Sequence, residues 1–209
     1  MKKIYKKLFN KLRSPQNPPR YLRGIEEVFP FSNFLLNSCI KHKTIKSIEN
    51  NPNNYKEYQK YSNINIDNLD KRLNEEWDRA SAIDQKTFKF TLSVSIALTV
   101  LGSASTLLDD QVDGCYPKIL LILSIVYFLI SGLIALGSIK TLPKYGYGTE
   151  SLLRSGDQLQ EYKASSLILM EEINIIRHIR NEAAYQTLRN GFILFILSSF
   201  TYGICLLKQ

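Results

Sequence analysis

Three long stretches without a charged residue interrupt an otherwise polar chain. They cover residues 90–108, 119–139 and 190–207, which are nineteen, twenty-one and eighteen residues long. About twenty apolar residues in a helix cross the hydrocarbon core of a bilayer, which is about 30 Å thick. A soluble domain of this size rarely contains three such stretches, because its core helices must present a polar face to water. The pattern therefore predicts three transmembrane helices.

The segments before the first and third stretches have helical periodicity. In the first, apolar residues recur every three or four positions with charges between them, and the second has the same helical spacing with one gap of seven. These residues are Leu69, Leu73, Trp77, Ala80 and Ile83 in one segment, and Leu159, Tyr162, Leu169, Ile173 and Ile176 in the other. No Gly or Pro interrupts residues 67–101, so we expect long helices that run unbroken into their spans and pair side by side through their apolar stripes. We predict an all-α integral membrane protein with three transmembrane helices and two long cytosolic helices, which are continuous with spans one and three.

The charges that flank the predicted spans set their orientation. Residues 1–89 contain eighteen Lys or Arg and residues 140–189 contain seven, whereas the turn between the first two spans has three aspartates and one lysine. Lys and Arg accumulate on the cytoplasmic side of a membrane, which predicts a cytoplasmic N-terminus and an outer C-terminus. Lys outnumbers Arg by eighteen to nine and Asn and Ile are frequent, as is typical of AT-rich bacterial or phage genomes. We therefore expect the protein in a bacterial inner membrane.

The same pattern divides the chain into five parts. They are a basic cytosolic segment (1–63), a cytosolic amphipathic helix (64–89), a transmembrane hairpin (90–139), a cytosolic turn and helix (140–189) and the third transmembrane helix (190–209). The first eleven residues place lysines on one helical face and apolar side chains on the other; the lysines are Lys2, Lys3, Lys6, Lys7 and Lys11. This pattern is typical of an interfacial helix on an anionic leaflet. Such a basic patch also suits nucleic acid, but the lipid bilayer is the simpler partner in a chain with predicted spans.

The sequence has no set of residues that predicts catalysis, a cofactor or a metal. Cys39 and His42 have the spacing of half a zinc site, but no second Cys or His pair completes it. The stretch "DDQVDG" resembles the start of a calcium loop, yet Gln111 and Leu120 occupy positions that need other ligands. There is no phosphate loop, no nucleophile elbow and no Asp, Glu or His within the predicted spans. We therefore predict that the protein is not an enzyme and binds no metal or cofactor.

Small and hydroxyl-bearing residues line one face of each of the first two spans. The candidate pore-lining or helix-packing residues are Thr91, Ser95, Thr99, Gly102, Ser103 and Thr106 on the first span, and Gly132 and Gly137 on the second, beside Ser124, Ser131, Ala135 and Ser138. Small residues let helices approach closely in lipid, and hydroxyls bond across the contact. Two interpretations remain open. The stripes meet each other in the hairpin, with hydroxyls bonded to their own helices, or the first stripe lines a pore built from several chains, because three helices enclose no channel.

The order of these elements resembles that of the SLATT-type small membrane effectors of bacterial anti-phage and nucleotide-signalling systems. The resemblance lies in "LNEEWDRASAIDQKTFKFTLSVSIALTVLG", the turn "DDQVDGCYPK" and "GSIKTLPKYGYGTESLLRSGDQLQEY". It covers about half of the chain and rests on architecture and residue class. Such effectors usually stop after two spans, whereas this chain adds a third. The resemblance implies an oligomer with membrane-perturbing or channel-like activity that a sensor partner switches on.

Two functional hypotheses follow from these observations. In the first, the chain is an oligomerising inner-membrane effector, membrane-perturbing or channel-like, with a role in anti-phage defence. In the second, it is a non-conducting membrane anchor or assembly subunit whose basic cytosolic part recruits a partner protein. Both expect the lipid bilayer and a cytosolic partner, and the first also expects a homo-oligomer.

Overall fold

Helical periodicity and the scarcity of Gly and Pro give this chain long helices. The structure is a computed structural model and describes residues 27–51, 58–107, 115–139 and 147–207. Its helices are α1 (Pro30–Asn50), α2 (Tyr58–Ser62), α3 (Ile66–Leu107), α4 (Cys115–Leu136), α5 (Thr149–Leu153) and α6 (Asp157–Leu207). Every regular element of the described part is a helix, so the predicted all-α class is confirmed.

Some sequence-based predictions fall outside the described residues. These are the surface lysines Lys2, Lys3, Lys6, Lys7 and Lys11, the aspartates of the turn at 109–113, and the side chain of Thr106. The structure therefore does not test the interfacial helix or the acidic turn.

Helices α3 and α6 are parallel and in direct contact, and α4 runs antiparallel to both beside their apolar halves. Helix α3 has 42 residues and α6 has 51, which correspond to about 60 and 75 Å at 1.5 Å per residue. Asp70 and Thr87 on α3 contact Lys163 and Asn181 on α6, so both helices advance in the same direction. Along α4, Ser124 contacts Gly191 and Ser131 contacts Ala184, which is the antiparallel order.

Two apolar cores lie along this three-helix arrangement. The lower core joins α3 to α6 in their charge-rich halves and contains Leu69, Leu73, Ala80, Ala164, Leu167 and Met170. The upper core joins the apolar segments of all three helices and contains Val94, Ala97, Leu101, Leu121, Phe128 and Leu188. Helix α1 packs on the outside of α6 through Ile45, Ile173 and Ile176.

The second long helix begins later than its periodicity predicts. The sequence predicts a helix from about residue 151, but the chain forms the short helix α5 and then bends before α6. Gly156 has φ 58° at this bend, a left-handed conformation that glycine adopts without a steric penalty. From Asp157 onward α6 is uninterrupted, as α3 is from Ile66.

Two helices of the described part are long and apolar enough to cross a membrane, by length and composition alone. They are Tyr116–Leu136, with a mean hydropathy of 2.8, and Asp157–Cys205, with 1.3. The first predicted span, 90–108, is not among them, and the side chains of 104–108 lie outside the described residues. Three spans are therefore not confirmed, and the structure supports two candidates.

Candidate functional site

The apolar halves of α3, α4 and α6 carry their large hydrophobic side chains on the outside. Most of the large exposed hydrophobic residues of the described part lie there, including Leu92, Ile96, Val100, Ile122, Leu129, Leu133, Phe192, Ile196 and Phe200. Between the same helices, Thr87, Ser124, Ser131, Ser138 and Ser198 are buried. Soluble domains show the opposite distribution, because water favours polar side chains outside. Lipid favours the arrangement seen here.

Buried serines spaced seven residues apart join α4 to α6. Ser124 Oγ donates to the carbonyl oxygen of Gly191 at 2.8 Å, and Ser131 Oγ donates to that of Ala184 at 2.7 Å. At the far end of α4, Ser198 Oγ donates back to the carbonyl oxygen of Pro117 at 2.7 Å. The serine face of α4 therefore meets α6, whereas the packing interpretation of the sequence expected it to meet α3.

Gly191 makes this close approach of α4 and α6 sterically feasible. A Cβ at this position would lie 3.0 and 3.1 Å from ring carbons of Phe128 and 3.3 Å from the Cβ of Tyr127. The ring of Phe128 is fully buried and packs edge-on against Phe192. Any residue with a Cβ at this position would therefore displace the Phe128 ring, and only glycine fits.

The hydroxyl stripe of α3, which we define as Thr91, Ser95, Thr99 and Ser103, lies mostly on the outside of the three-helix arrangement. Ser95, Thr99 and Ser103 are exposed and Thr91 is half-buried. Each hydroxyl donates to a carbonyl of its own helix: Thr91 to Phe88, and the other three to the residue four positions earlier, at 2.9–3.2 Å. Such back-bonding satisfies the hydroxyls without a partner helix.

The candidate glycines occupy three different environments. A Cβ at Gly102 would meet nothing within 4 Å. Gly132 faces α3, where a Cβ would lie 3.4 Å from Val94 Cγ1. A groove of about 220 Å³ between α3 and α4 is lined by Gly132, Thr91, Ser95 and six apolar residues. Gly137 follows the last residue of α4, and its carbonyl accepts a hydrogen bond from Arg180 Nη1.

A buried polar cluster, which we call the junction cluster, lies where the charge-rich and apolar halves of the molecule meet. Arg177 is only 1% exposed, donates from Nε to the carbonyl oxygen of Ser138 at 2.9 Å and forms an ion pair with Asp84. Arg180 donates to the carbonyl of Gly137. Both guanidinium groups thus lie at the C-terminal end of α4, where unpaired carbonyls and the helix dipole favour positive charge.

Neutral side chains complete the junction cluster and join all three helices. Asn181 Nδ2 donates to Thr87 Oγ1 at 2.8 Å, and Ser138 Oγ donates to Asn181 Oδ1 at 2.8 Å. Thr87 Oγ1 donates in turn to the carbonyl oxygen of Ile83 at 2.8 Å. One side chain from α6 therefore connects α3 to the residues that follow α4.

Burial lowers the pKa of Arg177, although the carboxylate of Asp84 opposes the shift, and burial also lowers the pKa of Arg180. An arginine guanidinium does not lose its proton in proteins, so both groups remain charged at neutral pH. The junction cluster therefore holds two permanent positive charges next to the end of α4.

Polar contacts continue from the junction cluster along α3 and α6. Asn174 Nδ2 donates to Oε2 of the buried Glu76 at 2.9 Å, and Lys163 Nζ contacts both oxygens of Asp70 at 2.5 and 2.6 Å. Half-exposed Arg72 pairs with Glu171 at 3.0 Å. Periodicity predicts the apolar stripes of these helices but not these contacts. The one feature of the sequence that indicates such contacts is that Lys163, Asn174 and Arg177 lie on the apolar face of α6.

The segment before α1 is tied to the apolar halves of α4 and α6. Tyr127 Oη donates to the carbonyl oxygen of Val28 at 2.7 Å, and Asn190 Nδ2 donates to that of Glu27 at 2.6 Å. Helix α1 then descends antiparallel to α6, toward the contact of Ile45 with Ile173 and Ile176. This packing connects the start of α1 to the middle of α4.

No known protein family, curated protein or solved structure matches this chain. Within the described residues, no three His, Cys, Asp or Glu side chains come together as metal ligands would. The arguments for function therefore rest on the geometry of the chain itself.

Proposed function

We propose that this chain is a membrane-embedded bacterial protein whose copies associate through the hydroxyl stripe of α3 and then perturb or conduct across the membrane. The observation that carries the proposal is that this stripe forms an uncovered hydroxyl face on the apolar half of α3, where the other exposed side chains, apart from Ser93, are apolar. The resemblance to SLATT-type effectors supports the same activity and suggests a role in anti-phage defence, with a cytosolic partner as the trigger.

The exterior of the apolar halves supports the membrane part of the proposal. Leu92 and Leu133 are 55% and 70% exposed on neighbouring helices, while Ser124 and Ser131 are fully buried between helices. Burying apolar surface in lipid is favourable by about 25 cal/mol per Å², and the buried serines avoid lipid by bonding to carbonyls of α6.

The chemistry of the hydroxyl stripe supports self-association. Ser95 and Thr99 are short, exposed and already bonded to their own helix. They therefore present a smooth surface to another helix without an unsatisfied hydroxyl. The groove beside Gly132 extends this surface toward α4 and offers room for side chains of a second copy.

Replacing stripe residues with leucine tests the proposal. The chain is expressed from an inducible promoter in bacteria, and a membrane-potential dye reports depolarisation. We expect depolarisation by the natural chain and its loss in Ser95→Leu, Thr99→Leu at equal membrane levels. The matched control is Ser93→Leu, because Ser93 is exposed and bonded to the carbonyl of Lys89 at 3.0 Å but lies on another face of α3. Equal activity of the double variant and the natural chain would refute the role of the stripe.

A second candidate function is that of a non-conducting anchor that recruits a cytosolic protein. The back-bonded hydroxyls favour it, because they need neither a second copy nor water. In that case expression is harmless, neither variant depolarises the membrane, and deletion of residues 1–63 abolishes capture of the partner.

A further inference from the structure

The contacts between α4 and α6 define which residues lie at the same level along the molecule. Ser131 bonds to Ala184 and Ser124 to Gly191, so seven residues along α4 match seven along α6 in the opposite direction. Two residues after Ser131 on α4, Leu133 therefore lies level with Glu182, two residues before Ala184 on α6. Two residues after Ser124, Val126 likewise lies level with Arg189, two residues before Gly191.

Helix α3 carries no charged side chain at either of these levels. Thr87 contacts Ser138, and Gly132 lies against Val94, so Leu92 is near the level of Leu133 and Val100 is near that of Val126. All four side chains are exposed, by 43% to 70%. Two of the three helices therefore present hydrocarbon at these levels.

Helix α6 presents charge at the same two levels. Glu182, Tyr185 and Arg189 are spaced three and four residues apart, so they lie on one helical face. All three are exposed, and Tyr185 is 61% exposed. Within the described part of the chain, neither the Glu182 carboxylate nor the Arg189 guanidinium has an ion-pair partner. We call this face the α6 charged strip; it spans two turns, or about 10 Å.

Hydropathy alone would place the α6 charged strip outside the membrane, because the uncharged part of α6 starts only at residue 190. The register places residues 182–189 beside the middle and inner half of α4, which is the most apolar helix of the described chain. A bilayer that covers α4 therefore covers the α6 charged strip as well. Charged side chains at such depth face water or partner groups and avoid lipid, because leaving them unpaired in hydrocarbon costs several kcal/mol.

We propose that the α6 charged strip faces a water-filled passage inside the assembled protein and contacts hydrated ions there. This inference rests on the membrane-embedded assembly proposed above and deepens it, because it assigns the wall of the passage to α6 and leaves the hydroxyl stripe of α3 for contacts between copies. Each task then has a surface of suitable chemistry. The small hydroxyl residues of α3 allow close packing between copies, and the charged residues of α6 contact water and ions.

Cysteine labelling at two matched positions tests this inference. Tyr185→Cys on the strip and Leu129→Cys on α4 lie at nearly the same level, and both natural side chains are at least half exposed. Each is made in a full-length chain whose native cysteines, Cys39, Cys115 and Cys205, are replaced by serine. Leu153→Cys, in the charge-rich half and 82% exposed in the natural chain, serves as the water-accessible reference.

The probe is a charged methanethiosulfonate reagent applied to membranes that contain the expressed protein. A cysteine thiolate attacks the sulfenyl sulfur of such a reagent and displaces methanesulfinate, whereas a thiol surrounded by lipid stays protonated and unreactive. We expect the cysteine at 185 to react at least about tenfold faster than that at 129, because lipid excludes both the reagent and the thiolate.

Each result has a distinct consequence. Fast labelling at 185 together with slow labelling at 129 supports the water-filled passage. Equally fast labelling at both positions would mean that α4 is not in a bilayer, which overturns the membrane-embedded proposal itself. Slow labelling at both, with the 153 reference reactive, would leave membrane embedding intact and overturn the passage.

Discussion

Replacing Asp84 with alanine removes the one carboxylate that pairs with the buried guanidinium of Arg177 in the described structure. The two side chains differ strongly in exposure, at 50% for Asp84 and 2% for Arg177. Losing the carboxylate therefore leaves a charge that water cannot reach. Losing the guanidinium leaves a carboxylate that water already solvates. Both substitutions break the same ion pair, but we expect Asp84→Ala to lower the stability of the fold more than replacement of Arg177 does.

The magnitudes follow from what each substitution leaves unpaired. An isolated buried charge destabilises a fold by about 3–5 kcal/mol, which is our expectation for Asp84→Ala. Arg177→Met leaves the carbonyl of Ser138 without this donor, and a buried unsatisfied acceptor costs about 1–3 kcal/mol. In a chain of this size about 1 kcal/mol shifts the midpoint of thermal unfolding by roughly 2–4 °C. Asp84→Ala should therefore lower Tm by roughly 6–20 °C.

Thermal unfolding in a mild detergent, followed by circular dichroism, measures these effects. Asp78→Ala is the matched control, because Asp78 is an exposed aspartate on the same helix. Its replacement changes helix propensity and net charge as Asp84→Ala does, so the difference between the variants isolates the ion pair. Equal Tm values for Asp84→Ala and Asp78→Ala would refute the argument, and so would a larger loss for Arg177→Met.

Two further predictions concern the contact between α4 and α6. Gly191→Ala should lower Tm, because a clash with Phe128 costs about 1–3 kcal/mol. The control Gly203→Ala has nothing within 4 Å of its Cβ and should leave Tm unchanged or raise it. Equal losses of Tm at both positions would contradict the packing of α4 against α6. Ser131→Ala should remove about 1 kcal/mol of stability with its hydrogen bond to α6, and Ser93→Ala, which loses only a bond within its own helix, should be close to neutral in the same unfolding measurement.

Periodicity predicts the long helices of this protein because helix formation here depends on local features of the sequence, namely the spacing of apolar residues and the absence of Gly and Pro. Without Gly or Pro between 67 and 101, nothing interrupts α3, and apolar residues such as Leu69 and Leu73 face α6 as their spacing predicts. The break at Gly156 escaped prediction, because a single left-handed residue in a polar segment leaves little trace in the periodicity.

The partners of each helical face could not be predicted from the sequence. Ser124 and Ser131 form a small-residue stripe, but that stripe fits α3 and α6 equally well until the register between helices is known. The role of Gly191 depends on the same register, because its missing Cβ matters only opposite Phe128. Charge counting treats every Lys and Arg of residues 140–189 alike, and the buried Arg177 differs from a surface arginine only through its partners Asp84 and Ser138.

The junction cluster determines how a trigger in the charge-rich half would reach the apolar half. Helices α3 and α6 pass through the cluster as single helices, while α4 ends there under Arg177 and Arg180. Sliding α6 past α3 by one turn, about 5.4 Å, would separate Asp70 from Lys163 and also pull both arginines away from the end of α4. The helices therefore cannot change register in one half alone. We expect a partner that shifts α6 along α3 below the cluster to break or strain the contacts that hold the end of α4. This mechanical link follows from two continuous helices and a shared polar contact, and it requires no hinge within the apolar half.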